Sequence, residues 1–169
     1  VKVETVAIES LTFDPANVRK HDEKNLGAIK ASLNRFGQQK PIVVDANGVV
    51  RAGNGTLAAA KALGWKEIAI VRSPLWGSEA TAYAIADNRT SELAEWDDDV
   101  LSQTLAALQI EDDELAASTG FMAQEINAMT ERYIESQKAP ESSTKEIDVD
   151  GFQMQCRCPK CGFEFDPKA

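Results

Sequence analysis

"VVRAGNGTLAAAKALGW", residues 49–65, opens as a short β-branched strand, breaks at two glycines and continues as an alanine-rich helix that runs to Gly64. Glycine suits such a junction where the backbone needs positive φ or where something must approach it closely. The N-terminus of a helix leaves backbone N–H groups unpaired, and with the helix dipole they favour an anion such as phosphate. Two readings are open at this point. One is a tight turn followed by a Thr56 cap on an ordinary helix; the other is a phosphate cradle formed by Gly53, Asn54, Gly55 and Thr56. Spacing alone favours the turn, because a glycine pair is a short signal.

The neighbouring segments place this junction in a small mixed fold. Val3 to Ile8 reads as a strand, and "FDPANVRKHDEKN" as a polar loop built on Asp-Pro and Asn turn chemistry. From Lys24 the apolar residues Leu26, Ile29, Leu33 and Phe36 recur at helical spacing, and Gly37 is placed to stop the helix. "PIVVD" and "VVRAG" flank Asp45-Ala46-Asn47-Gly48, where Asn-Gly signals a hairpin, and "EIAIV" (67–71) is a further strand. The order is β, loop, α, β-hairpin, α, β. Beyond Ser73-Pro74 the pattern is helical: "SEATAYAIADNR", then "WDDDVLSQTLAAL" with an acidic first turn, then Met122, Ile126, Met129 and Tyr133 on one face. Residues 136–150 have the composition of a linker, which leads to "CRCPKCGFEFDP".

Composition narrows the function classes. With 169 residues, 43% of them hydrophobic, the chain suits one globular domain with a smaller appendage. Its formal net charge of -9 opposes non-specific attraction to a phosphate backbone, so DNA contact is expected to be weak or to pass through a partner protein. The one basic concentration, Arg19, Lys20, Lys24, Lys30, Arg35 and Lys40, falls in and beside the first helix. Three cysteines confined to 156–161 leave the body without a disulfide framework and point to a reducing compartment. With no long apolar run and no signal-like start, a cytoplasmic setting without membrane contact is expected. A single histidine and tail-only cysteines exclude Ser-His-Asp and Cys-His catalysis.

"NVR" (17–19), "QQKPIVV" (38–44), "AGNGTLAAAKALG" (52–64) and "AIADNR" (84–89), in this order, resemble the ParB/sulfiredoxin superfamily, and more narrowly its ParB-like branch in phage and mobile-element proteins and beside DNA methyltransferase domains. The resemblance covers roughly the first 110 residues. It implies an α+β fold in which Gly53 to Thr56 is the nucleotide-phosphate loop. In plasmid-partition ParB proteins the matching turn is Gly-Glu-Arg-Arg, whose arginines grip the phosphates of CTP. Here Asn54, Gly55 and Thr56 replace the last three, so the charge-assisted bonds of those arginines are missing and backbone N–H groups, the Thr56 hydroxyl, Arg51 and Arg19 stand in their place. Asp87 and Asn88 match in type the acid and amide of the ParB Glu-Asn-x-x-Arg box, which help to hold metal and phosphate. Arg89 sits two positions early for the box's arginine. In sulfiredoxins a catalytic Cys occupies the turn; Asn54 stands there instead, which excludes sulfinic-acid reduction. The serine kinases of the superfamily use a His and acidic residues around a basic turn, and Thr56 in place of the basic residue argues against that activity.

Two further segments carry alternatives. "LAASTGFMAQEINAM" (115–129) has the spacing of a helix-turn-helix, with Gln124, Asn127 and Arg132 beside Glu125 and Glu131, and a packing unit is favoured over DNA reading. Cys156, Cys158 and Cys161 resemble a zinc-ribbon knuckle with three thiolates for a metal that takes four ligands; Asp166, Glu164, water or another chain would supply the fourth.

The expected organisation is a ParB/sulfiredoxin-like domain over 1–92 with a small mixed sheet and helices, a helical subdomain over 93–135, a linker over 136–150 and a zinc-knuckle-like tail over 151–169. The expected function is a nucleotide-binding module in phage or mobile-element DNA metabolism, using a nucleoside triphosphate with Mg²⁺ and, at the tail, Zn²⁺. The alternatives are a metal-dependent nuclease or nucleotide hydrolase, and a nucleotide-independent docking domain for a DNA methyltransferase. A DNA methyltransferase or phage protein and a second copy of the chain are the expected partners.

Overall fold

The computed structural model describes residues 1–138 and 156–165. Its elements run β1 (Val3–Ala7), a 3-10 turn at Ile8–Ser10, β2 (Thr12–Phe13), α1 (Glu23–Phe36), β3 (Ile42–Val44), β4 (Val49–Ala52), α2 (Asn54–Ala62), β5 (Glu67–Arg72), α3 (Gly77–Glu92), α4 (Asp98–Glu111), α5 (Asp113–Ala117), α6 (Ala123–Gln137), β6 (Cys156–Arg157) and β7 (Glu164–Phe165). The chain divides into two units, Val1–Gln137 and Lys138–Ala169. Most of the linker expected at 136–150, the start of the tail and Asp166 lie outside the described residues.

Period-two alternation builds the sheet's buried face: Ile42 and Val44 from β3, Val50 and Ala52 from β4, Ile68 and Ile70 from β5. The strand order is β1-β5-β3-β4-β2. β1 pairs antiparallel with β5, β3 parallel with β5, β3 antiparallel with β4, and β2 parallel with β4. The mixed α+β architecture expected from the sequence is therefore what forms. Leu33 of α1 and Leu57, Ala59 and Ala60 of α2 close the core, with Ile29, Leu63 and Trp65 packed at its margin. The small residues of α2 leave room for α1, and full burial of a Leu57-sized side chain is worth about 1.5–3 kcal/mol.

The side chain of Gln38 extends this sheet beyond its strands. Its amide donates to Ala69 O and accepts from Ala69 N, both at 2.8 Å, so it pairs with β5 as a strand residue would. A second, smaller hydrophobic cluster gathers Leu105 of α4, Ala116 of α5 and Ile126 of α6, with Leu101, Leu108, Phe121 and Met129 around it. Three ion pairs join α1 and the loop before it to the helices: Arg19 to Glu92, Lys24 to Glu125 at 2.9 Å, and Arg35 to Asp112 at 2.6 Å.

Three details differ from the sequence expectation. Ile8 belongs to the 3-10 turn, not to β1. Thr12–Phe13, read as the edge of a loop, pairs with β4 and so forms β2. The α2 helix begins at Asn54 with Gly53 at its N-cap, so Thr56 lies inside the first turn and is no cap. Among the described residues no helix is long and apolar enough to cross a membrane.

Gly53 has φ +97°, and a Cβ there would stand 2.5 Å from Ile42 Cγ2. We expect Gly53→Ala to lower unfolding stability by about 2 kcal/mol or more, through left-handed strain plus that overlap, as measured by urea denaturation. An unchanged midpoint would contradict the geometry.

Candidate functional site

The chain leaves β4 at Ala52, reverses through the left-handed Gly53 and enters α2 directly. No side chain caps the α2 N-terminus, whereas Asp22, Asp97 and Asp112 accept N–H bonds at the starts of α1, α4 and α5. The first turn of α2, whose N–H groups lack intrahelical partners, lines a cleft of about 230 Å³. Its lining includes Gly53, Asn54, Gly55 and Thr56 from this turn, Asn17, Arg19 and His21 from the loop before α1, Lys40 before β3, Arg51 from β4, and Asp87 and Asn88 from α3.

Each wall has an identifiable origin. Asp14 accepts from Ala16 N at 2.8 Å, and Asn17 both donates to Arg19 O and accepts from Arg19 N, at 3.0 and 3.1 Å. These short-range bonds stiffen the loop that presents Arg19. Arg19 also reaches Glu92 at the end of α3. His21 Nδ1 meets Asn25 Oδ1 at 2.7 Å. A Cβ on Gly55 would lie 2.7 Å from His21 Cε1 and 2.9 Å from Ile29 Cδ1, so the second glycine exists to admit the imidazole beside the turn. Asn88 donates to Ala84 O at 2.8 Å, one turn back along α3.

Arg51 lines the cleft, but its guanidinium is committed elsewhere. It donates to Asp45 Oδ2 through Nε at 3.1 Å and Nη2 at 2.8 Å, and to Asp14 Oδ2 through Nη1 at 2.9 Å. Both carboxylates are buried. Burial pushes the Asp45 carboxyl up, but hydrogen bonds from Val49 N, the Arg51 guanidinium and Asn47 N, with the guanidinium charge, outweigh it and hold the group below its ordinary value. Asn54 likewise turns inward: its amide donates to Val50 O at 3.0 Å and accepts from Asp14 N at 3.2 Å. Its side chain braces the turn.

The structure therefore brings Arg19, Arg51, Gly53, Asn54, Gly55, Thr56, Asp87 and Asn88 to one cleft, while Arg89 is not part of its lining and lies with Nη1 3.5 Å from Glu92. Sequence reading missed Lys40 and His21 as cleft residues. Lys40 is visible in the sequence only as one of six basic residues, and His21 only as the single histidine, set in a polar loop. Among the described residues no three His, Cys, Asp or Glu side chains converge as a metal site, so Asp87 is a single carboxylate.

The α5–α6 pair is held as a packing unit by Ala116 and Ile126. Glu125 accepts from Met122 N at 2.8 Å and so caps α6, and it also holds Lys24. Gln124, Asn127 and Arg132 are exposed on α6.

No family model matches the sequence, and no curated protein does. Among solved structures the chain is similar to the C-terminally truncated chromosome-partitioning protein ParB from Caulobacter crescentus complexed with CTP-γ-S. The match has 21% identity and a TM-score of 0.65, and it covers 76% of this chain and 77% of that one. A Pnob8-like ParB-N domain matches with 19% identity and a TM-score of 0.47, over 79% of this chain and 62% of that one. The Caulobacter crescentus protein complexed to the centromeric parS site matches with 19% identity and a TM-score of 0.44, over 79% and 78%. The first of these establishes the fold as ParB-like.

Removing Arg51 would leave two buried carboxylates without a counter-charge. Arg51→Ala is expected to cost about 3–5 kcal/mol in urea unfolding. Because the folded Asp45 carboxyl sits below the value of 3.8 that it takes when unfolded, its contribution is fully present above that pH and is lost as pH falls through the folded value. Acid unfolding of an Asp45→Asn variant should accordingly show a shallower loss of stability below pH 3.8 than the unmodified chain; an identical acid limb would contradict the assignment.

Proposed function

We propose that this chain is a nucleotide-binding module of the ParB type, which takes the phosphates of a nucleoside di- or triphosphate at the α2 N-terminus. The observation that carries the reading is an uncapped helix start opening into a cleft whose other walls bring Arg19 and Lys40. N–H groups there and at the helix dipole favour negative charge, and two cations from separate loops add charge-assisted bonds. Thr56 contributes its hydroxyl. Asp87 and Asn88 line the same cleft and would supply oxygen ligands to a Mg²⁺ that accompanies the phosphates; a single carboxylate suffices when phosphate oxygens and water complete the shell. The CTP-γ-S bound to the Caulobacter crescentus ParB supports the same ligand class. Arg51 and Asn54 act here as braces rather than as phosphate ligands.

The sequence resemblance further suggests a role in phage or mobile-element DNA metabolism, with a DNA methyltransferase or phage protein as partner. Direct DNA affinity is low in this reading. Lys24 and Arg35, two members of the basic concentration, are held by Glu125 and Asp112, and the chain carries a net charge of -9.

Thermal-shift screening of nucleoside triphosphates with and without Mg²⁺ tests the ligand, since a ligand at ~100 times its dissociation constant stabilises by roughly 2.7 kcal/mol. Lys40 is exposed, so Lys40→Ala should keep the fold and weaken binding by about tenfold or more. Full affinity in a folded Lys40→Ala, Arg19→Ala double variant would overturn the cleft as the phosphate site. Titration with duplex DNA near physiological salt should give micromolar affinity or weaker, and nanomolar binding that depends on Gln124 or Asn127 would contradict the electrostatic argument.

A further inference from the structure

His21, the chain's only histidine, lines the cleft together with Arg19 and Lys40. It is half-buried in the loop that leads into α1, one position before Asp22, whose carboxylate caps that helix by accepting from Asn25 N at 2.8 Å. The Asn25 side chain meets His21 Nδ1 at 2.7 Å through its amide oxygen. That oxygen can only accept, so Nδ1 carries the proton and donates. The neutral ring is thereby set with its basic lone pair on Nε2. Among the described residues no hydrogen bond reaches Nε2.

The ring is held in place as firmly as its tautomer is set. A Cβ on Gly55 would stand 2.7 Å from His21 Cε1 and 2.9 Å from Nδ1, so this edge of the imidazole rests on the first turn of α2 in space that only a glycine leaves. Ile29 of α1 closes the same space, with its Cδ1 2.9 Å from that point. Nε2 is bonded to Cε1, and so lies one bond from an atom in contact with the turn where α2 begins. The charged groups that share the lining with His21 are Arg19 of its own loop, Lys40 before β3, Arg51 of β4 and Asp87 of α3; α1 and α2 bring none. Arg51 is already paired with Asp14 and Asp45. With Nδ1–H engaged, a neutral ring would show a phosphate oxygen only a lone pair, whereas the imidazolium has an N–H to donate from Nε2.

We propose that His21 is a proton-dependent phosphate ligand: it takes a proton from solvent at Nε2 and donates it as a hydrogen bond to an oxygen of the bound nucleoside di- or triphosphate. The inference rests on the nucleotide reading and adds to it a third cation and a response to pH. A bound anion favours the imidazolium, so the ring titrates at higher pH in the complex than in the free chain. The added affinity is fully present below the titration of the free chain and is lost as pH rises through that of the complex.

Because His21 is the only histidine, a full chain made without added histidines gives one imidazole Cε1–H signal by NMR. That signal is followed from about pH 5 to about pH 8 with no ligand, with CTP and Mg²⁺, and with inorganic pyrophosphate alone. Both probes should move the titration upward by about one pH unit, equivalent to about tenfold tighter binding of the protonated form. The Gln amide donates without a proton, so His21→Gln should lose most of that tenfold gain at low pH when compared with the unmodified chain at each pH, which cancels the ionisation of the ligand itself. A ring that only props the turn would not change its titration with ligand, and this readout needs no variant to fold. A His21 titration that stays in place while the amide signals of Asn54, Gly55 and Thr56 report bound ligand would overturn the inference and leave the nucleotide reading standing. A shift with CTP but none with pyrophosphate would also overturn it, by placing the ring at the nucleoside. No response of those amides to either probe at any pH would overturn both.

Discussion

The Asp14–Arg51–Asp45 ion triad is the constraint around which the cleft is organised. Arg51 belongs to β4, Asp45 opens the turn after β3, and Asp14 follows β2, so one guanidinium joins three strand ends. Such a buried cluster is seldom a large net source of stability, because desolvating three charges offsets most of their attraction. Its effect is on specificity of geometry. Every carboxylate oxygen has a donor: Asn47 N and Val49 N serve Asp45 Oδ1, Ala16 N serves Asp14 Oδ1, and Arg51 takes the other two. Among the described residues no buried side-chain nitrogen or oxygen is left without a partner. The turn two residues beyond Arg51 is fixed in turn by Asn54, which ties Val50 O to Asp14 N. Gly53 can therefore hold its left-handed conformation at the point where α2 begins beside the cleft.

This arrangement bears on the proposed phosphate site. A turn without the arginines of Gly-Glu-Arg-Arg lacks cations of its own, yet cations arrive from the two flanking loops as Arg19 and Lys40. Gly55 opens the space into which His21 fits, so the loss of a side chain at the turn is matched by one brought from a neighbouring segment. The cleft also touches the link to the helices. Arg19 is shared between it and Glu92, and surface pairs of this kind contribute only about 0–1 kcal/mol each, so a phosphate can compete for that side chain.

What the sequence disclosed followed from range of interaction. The α1 periodicity, the Asn-Gly hairpin and the strand-glycine-helix junction are local signals, and all three elements form where the residues place them, to within a residue or two. Thr12–Phe13 gave no signal because two residues make no pattern and its partner, β4, lies far along the chain. Arg51 sat at the right position for a phosphate ligand, but its acidic partners are 37 and 6 residues away, and only folding shows that its charge is taken. Glu125 carried the same ambiguity: near a recognition helix it suggests repulsion of phosphate, while in the structure it caps α6 and anchors Lys24. Spacing suggests a zinc knuckle at Cys156, Cys158 and Cys161, while among the described residues no three metal-ligating side chains converge.

The central claim is that phosphate is held by the backbone of the α2 first turn, with Arg51 as its brace. Amide chemical shifts of the isotope-labelled chain, followed while a nucleoside triphosphate and Mg²⁺ are added, test this most directly. The account predicts the largest changes at the N–H groups of Asn54, Gly55 and Thr56, with smaller ones at Arg19 and Lys40, and an Arg51 side-chain resonance that stays in place. Saturable changes centred on α5 and α6 with the α2 turn unmoved would contradict it.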